Sequence, residues 1–270
     1  MISRTISEWV RYLEVTGNNS FSFEQVRATF SNTSEQSIYN SLYRLTIKNR
    51  VVSVYKGFYV ITPPQYAAKG IIPPMYYIDQ LMSYLKKPYY IGLLNAAELY
   101  GAAHQRTQRF SIITVYPFSN VSKARNQIVD WVFRKDIPEK YLQIKNSETG
   151  VVRFSNPELT ALDLVQYESY IGGLSRASTV LKELAEQTDF SKMSEDLLDC
   201  TSIATIQRLG FIFENILGEK QQADILFEQL IKYGKRLNYI PLGKRSQLDN
   251  PGKDTRWKIL INTHLETDEL

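Results

Sequence analysis

Between Asn32 and Ile61 the sequence reads NTSEQSIYNSLYRLTIKNRVVSVYKGFYVI, and its apolar periodicity switches from helical to alternating within a few residues. The first half predicts a helix running to about Lys48. Asn32 is suited to cap its start with Glu35 reaching back, and Ile38, Leu42 and Leu45 recur at i, i+4 and i+7. One face is thereby committed to a core. At about 100° per residue the opposite face carries Gln36, Asn40, Tyr43, Arg44 and Ile47. After Arg50, Val52 and Val54 alternate onto one face, Lys56-Gly57 supplies a turn, and Phe58 to Ile61 form the returning strand.

The chain before this stretch supplies two more helices. The first places Ile6, Trp9, Val10 and Leu13 on one stripe and stops at Gly17. The second opens with Ser22 and Gln25 as a capping box, with Phe21 stapled against Val26 and with Phe23, Val26 and Phe30 facing inward. Two capped helices, a short polar turn, a polar-faced third helix and a basic hairpin make the order of a winged helix-turn-helix. The outer face of the third helix has the chemistry of a base reader, since Gln and Asn pair bidentately with adenine and Arg with guanine. Phosphates suit the helix start, Tyr and Lys. The candidate DNA contacts are Ser34, Gln36, Asn40, Tyr43, Arg44 and Lys48 on the helix and Lys56 at the tip of the hairpin.

A chain of 270 residues is too long for such a module alone. The pairs Pro63-Pro64 and Pro73-Pro74 cannot continue the preceding strand, so the expected division is 1–70 for the winged helix and 71–270 for a larger domain. Residues 1–70 hold eight Lys and Arg against four acids, while the remaining residues balance, so the whole net charge of +4 sits on the expected reader. One Cys excludes an internal disulfide, and two His are too few for the usual zinc ligand sets. The start MISRTISEWV lacks a signal-peptide core and no apolar run approaches a membrane span, which points to a cytoplasmic protein without a membrane partner.

Beyond residue 70 the pattern predicts an α+β domain with a small, mainly antiparallel sheet and a helical subregion. Helices are expected at 77–85 and 90–103, strands at 110–115 and 128–133, and a hairpin from 142–145 and 151–154. Asn156-Pro157-Glu158 then opens a helix, followed by others at 176–187, 195–201, 203–217 with Gly218 as its stop, and 221–233. Arg256 to Ile261 reads as one strand. The stretch from Lys232 to Lys258 is basic, and Lys235, Arg236, Lys244, Arg245 and Arg256 are candidates for a second phosphate-contacting or partner-docking surface.

The segments KGFYVI, PYYIGLLNAAELYGAAHQRTQRFSIIT (Pro88 to Thr114), VVRFSNPELTALDLV (Val151 to Val165) and NYIPLGKRSQLDNPGKDTRWKILIN together resemble the AbiEi family, the antitoxins of abortive-infection type IV toxin–antitoxin systems. The resemblance implies a repressor that binds repeats in its own promoter, and a larger domain that counteracts a nucleotidyltransferase toxin functionally, with or without contact. The family's second motif tends to read D-P-E-R, whereas this chain has Asn156-Pro157-Glu158-Leu159.

Catalysis has no candidate constellation. There is no Gly-Ser turn with paired carboxylates, no P-loop, and no lysine preceded two residues earlier by an acid, so neither an enzyme activity nor a cofactor or metal is expected. His104 reads as a core or helix-end hydrogen bonder rather than a catalyst, and His264 as incidental. The alternative is a winged-helix regulator whose second domain senses a small ligand through Tyr76, Tyr77, Tyr89 and Tyr90. A winged helix used as a protein adaptor shares the same pattern.

Overall fold

A computed structural model describes residues 4–68, 71–102, 109–117, 129–244 and 251–266. The chain forms two compact units. The first comprises Met1–Pro88 with Val115–Val129 and Lys145–Val152, and the second comprises Tyr89–Thr114, Asp130–Ile144 and Arg153–Leu270.

The first unit opens with α1 (Ile6–Val15), β1 (Ser20–Ser22), α2 (Phe23–Thr29), α3 (Glu35–Ile47), β2 (Val51–Tyr55) and β3 (Phe58–Ile61). Local side chains start the helices. Thr5 and Glu8 form a capping box on α1, and Ser22 and Gln25 form another on α2. The start of α3 differs from the expectation. Its cap is Ser34, whose Oγ accepts the Ser37 N–H at 3.3 Å, rather than Asn32. The Thr33 N–H is engaged in a turn with the Phe30 carbonyl at 2.9 Å, so the chain is free to enter the helix only at Ser34.

Ile38, Leu42 and Leu45 are buried as the spacing requires, in a core shared with Ile6, Val10, Phe21, Phe23, Val26, Val51, Tyr59 and Ile61. The three strands pair in the order β1-β3-β2, antiparallel throughout. Together with the helix order, this is the topology of a winged helix-turn-helix. A register shift between Ser53 and Tyr55 breaks the expected alternation: Val54 and Tyr55 are both buried, while Val52 is half-buried.

Residues 71–88, assigned from sequence to the larger domain, belong to the first unit. After the short α4 (Pro64–Ala67), Tyr76 donates to Asn19 Oδ1 at 3.0 Å. Tyr84, on α5 (Ile78–Leu85), lays its ring 5.2 Å from that of Phe58 and bonds Glu24 at 3.5 Å. The proline pairs end a strand without ending the packing. The hairpin residue Thr149 joins the same unit through bonds to the Tyr76 carbonyl at 2.7 Å and from Gln80 at 2.8 Å.

The second unit begins with a strand where a helix was expected. Tyr89–Ile91 (β4) is buried and pairs antiparallel with β5 (Phe110–Val115), and parallel with β8 (Gly150–Ser155) at Ile91↔Phe154. Three bulky β-favouring residues followed by Gly92 carry this change, and the helix α6 is confined to Leu93–Leu99. With β6 (Val129–Arg134) and β7 (Leu142–Ser147), the sheet has the order β6-β5-β4-β8-β7.

The helical part follows as α7 (Pro157–Gln166), α8 (Leu174–Leu184), α9 (Glu195–Asp199), α10 (Ile203–Phe211) and α11 (Lys220–Lys232). A π-helical segment, Ile212–Leu217, continues α10 to Gly218, which takes the left-handed stop at φ 75°. Helix α7 packs against α6, α8 and α10, and every residue from Leu159 to Val165 is buried. Leu159, the departure from the family pattern, is one of these core side chains.

A small sheet, β10-β11-β9, closes the unit with β9 (Ile240–Pro241), β10 (Gly252–Asp254) and β11 (Ile259–Ile261). The expected strand from Arg256 is shortened to its last three residues, because Trp257 is held in a turn by Asp254 and Lys258 adopts φ 55°. Trp257 is fully buried and lies over Gly210 of α10, where an added Cβ would come within 2.1 Å of the indole ring. Gly210→Ala is therefore expected to destabilise the protein by about 1–3 kcal/mol through overpacking. Trp257→Phe removes the benzo ring that the new methyl would strike, so the two changes should be less than additive in a double-mutant cycle read by urea denaturation.

Candidate nucleic-acid interface

Gln36, Asn40, Tyr43, Arg44 and Lys48 are all exposed on the side of α3 away from its core. Gln36 and Asn40 are one helical turn apart and bonded to each other, Gln36 Nε2 donating to Asn40 Oδ1 at 3.2 Å. That contact holds two amide side chains at a common height on the face. Ser34 is spent on the helix cap and also donates to Ser37 Oγ at 2.9 Å, so what it presents outward is the α3 N-terminus rather than a free hydroxyl. Lys56 is exposed at the β2–β3 turn, as the sequence places it.

The four acids of residues 4–68 are engaged elsewhere than with the cations of this face. Glu35 pairs with Arg27 at 3.0 Å, Glu14 with Arg50 at 3.0 Å, Glu8 caps α1, and Glu24 meets Tyr84. Arg44, Lys48 and Lys56 form no ion pair with a described residue. Three cations without local counter-charge on one helix end and one hairpin tip make a surface that attracts a polyanion. Ile47, 63% exposed, lies on the same face, and sequence periodicity already puts it there.

The second basic surface does not form as a free patch. Lys235 pairs with Asp199 at 2.7 Å and Glu195 at 3.9 Å, and Lys244 pairs with Glu168 at 3.1 Å. Arg256 pairs with Glu214 at 2.8 Å and Asp224 at 2.6 Å, with its guanidinium 4.7 Å from the Phe227 ring centroid. Acids distant in sequence neutralise three of the five candidates. Arg236 is exposed, and Arg245 lies outside the described residues. His104 lies outside them as well, and His264 is exposed.

The tyrosines considered for a ligand pocket are structural. Tyr77, Tyr89 and Tyr90 are buried, Tyr76 is half-buried and bonded to Asn19, and Tyr76 and Tyr77 belong to one unit while Tyr89 and Tyr90 belong to the other. Among the described residues no group of three or more His, Cys, Asp or Glu could hold a metal ion, and no helix is long and apolar enough to cross a membrane.

Sequence reasoning missed a buried polar network in the second unit. Arg134 at the end of β6 and Asp163 in the middle of α7, their side chains each 2% exposed, pair at 3.2 Å. Tyr90 donates to Asp163 Oδ2 at 2.6 Å and accepts from Arg134 Nη1 at 2.5 Å, while Arg134 Nη2 donates to the Cys200 carbonyl at 3.0 Å. An Asp inside the apolar run ALDLV is the signal that would have found it. Burial pushes the Asp163 carboxyl up to about 6, against the opposing pull of Arg134 and the bonds from Tyr90 and Arg134. The Tyr90 phenol is raised far above its ordinary value by burial and then by Asp163.

A cleft of about 620 Å³ opens at the start of α7, lined in part by Tyr100, Tyr141, Asn156, Glu158 and Met193. Several of its polar groups are bonded within the protein. Tyr100 donates to the Ser155 carbonyl at 2.7 Å, Tyr141 donates to Ser194 Oγ at 2.9 Å, and Glu158 accepts from the Asp189 N–H at 2.7 Å and Asn156 Nδ2 at 2.5 Å. Asn156 caps α7 through the Leu159 N–H at 2.9 Å, as the Asn-Pro-Glu sequence predicts.

Fold and site define a two-unit α+β protein with a winged helix-turn-helix ahead of a larger mixed unit. Residues 90–215 match the family model of the AbiEi antitoxin C-terminal domain. No curated protein matches the chain. Among solved structures, the crystal structure of the RV2827C protein from Mycobacterium tuberculosis is similar, with a TM-score of 0.66 at 14% identity over 94% of this chain and 90% of that one. At that identity the likeness concerns the fold.

The buried carboxylate makes stability depend on pH. Because the folded value near 6 exceeds the ordinary carboxylate value near 4, the folded protein keeps a proton that the unfolded chain has lost. The stabilisation this group supplies is full below about pH 4 and is lost as pH rises through about 6. The melting temperature of the wild type relative to Asp163→Asn should therefore fall between pH 4 and 6 and level off above 7. Asp163→Ala, which strands the Arg134 cation, should cost about 3–5 kcal/mol at neutral pH.

Proposed function

We propose that the protein is the antitoxin and transcriptional autorepressor of a type IV toxin–antitoxin operon in the cytoplasm. It binds repeats in its own promoter with α3 in the major groove and the β2–β3 turn on the flanking backbone. Through its second unit it counteracts a nucleotidyltransferase toxin. The observation that carries the DNA-binding part is the coincidence, on one exposed helix face, of an amide pair at Gln36 and Asn40 with Arg44 and the uncompensated cations Lys48 and Lys56. Amides and a guanidinium read base edges, and lysines neutralise phosphates. The toxin-directed part is supported by the antitoxin domain at residues 90–215.

Asn40→Ala and Arg44→Ala are each expected to lose about 1–3 kcal/mol of specific binding to promoter DNA and to relax discrimination at one base pair. Lys56→Ala should weaken all duplexes alike and reduce the slope of log affinity against log salt by about 0.9. Gel-shift titrations at several salt concentrations read both effects. Undiminished binding by the Asn40→Ala/Arg44→Ala double variant would exclude α3 as the reader. In cells carrying the neighbouring toxin gene, that double variant should still relieve growth arrest when expressed from an independent promoter, while a reporter driven by the native promoter becomes derepressed.

A further inference from the structure

Three of the large exposed apolar side chains of the first unit lie on α3: Tyr39, Tyr43 and Ile47. Tyr39 has a structural role, because its ring stacks on Phe23 with centroids 4.5 Å apart. Tyr43 and Ile47, 66% and 63% exposed, are not part of the buried core. They fall in one row with the amide pair, because Gln36, Asn40, Tyr43 and Ile47 are spaced i, i+4, i+7 and i+11 and stay within a narrow sector opposite the core face. Arg44 and Lys48 flank the row on one side.

In the major groove, adenine offers N7 and N6 to a side-chain amide, while thymine in the same base pair offers O4 and an apolar C5 methyl. A row that starts with two amides and ends with a tyrosine and an isoleucine carries both halves of the A·T pattern. Gln36 and Ile47 are separated by about 16 Å along the helix axis. That corresponds to about five base-pair steps at 3.4 Å each, so the row spans a run of pairs rather than one.

We infer, resting on the DNA-binding role proposed above, that α3 reads an A·T-containing run in which Ile47 packs on a thymine methyl, and that Ile47 is a specificity-determining residue. Arg44, beside the row, contributes a guanine contact at the edge of that run.

The test uses the full chain. Duplexes bound by the wild type are selected from a randomised pool, and each thymine of the selected site is then replaced singly by deoxyuridine, which removes only the methyl. At one or two positions the replacement should weaken binding roughly fourfold, the effect of withdrawing one buried methyl. In Ile47→Ala, thymine and uracil should be equivalent at those positions, and Ile47→Val should keep part of the difference. Unchanged circular dichroism and melting temperature in both variants would show that the fold is intact. The inference is overturned if uracil is tolerated everywhere, or if Ile47→Ala keeps the thymine preference. It is also overturned if Ile47→Ala changes the oligomeric state of the protein without touching base discrimination. Failure of the wild type to bind any duplex at low salt overturns the DNA-binding role together with this inference, whereas binding that ignores the methyl overturns the inference alone.

Discussion

The second unit is built around a helix with no exposed face through its middle, and that helix carries a charge. From Leu159 to Val165 each side chain of α7 is buried, so Asp163 has no access to water and must be satisfied by the protein. Arg134 and Tyr90 do this from β6 and β4, and Arg134 reaches on to the Cys200 carbonyl. One ion pair thus ties two strands, the central helix and the segment after α9 into one register. An all-apolar core could tolerate a slipped helix. This one cannot, because a displacement of one residue would separate a buried carboxylate from its only cation among the described residues.

The first unit uses charge in the opposite way. The four acids of residues 4–68 are engaged in a cap, in pairs with Arg27 and Arg50, or with a tyrosine, and none of them pairs with Arg44, Lys48 or Lys56. A modest net charge is enough when it is sorted in this manner. Arg44, Lys48 and Lys56 pair with no described acid although the composition of the whole chain is nearly balanced.

Local signals made the first unit legible in sequence. The Ser22–Gln25 box, the i, i+4, i+7 spacing of Ile38, Leu42 and Leu45, and the Lys56-Gly57 turn each act within a few residues, and the structure has them where the pattern puts them. The departures arise where distant contacts decide. Tyr89–Ile91 is a strand because β5 and β8 flank it, and 71–88 joins the first unit because Tyr76 and Tyr84 find partners there. The basic stretch near residue 240 loses its free charge to acids at positions 168, 199, 214 and 224, which no scan along the chain connects. Of the candidate interface, the helix face was readable from periodicity alone, but the pairing of the acids away from it was not.

Trp257 bears on where the second unit can be cut. The indole fills the space over Gly210 and donates to Glu214 at 2.6 Å, so without that side chain α10 and the π-helical segment after it would have a hole in their packing. The family-matched portion ends at residue 215, well before this plug. A fragment of the chain cut at residue 215 would span the family match and still lack the side chain that fills this space.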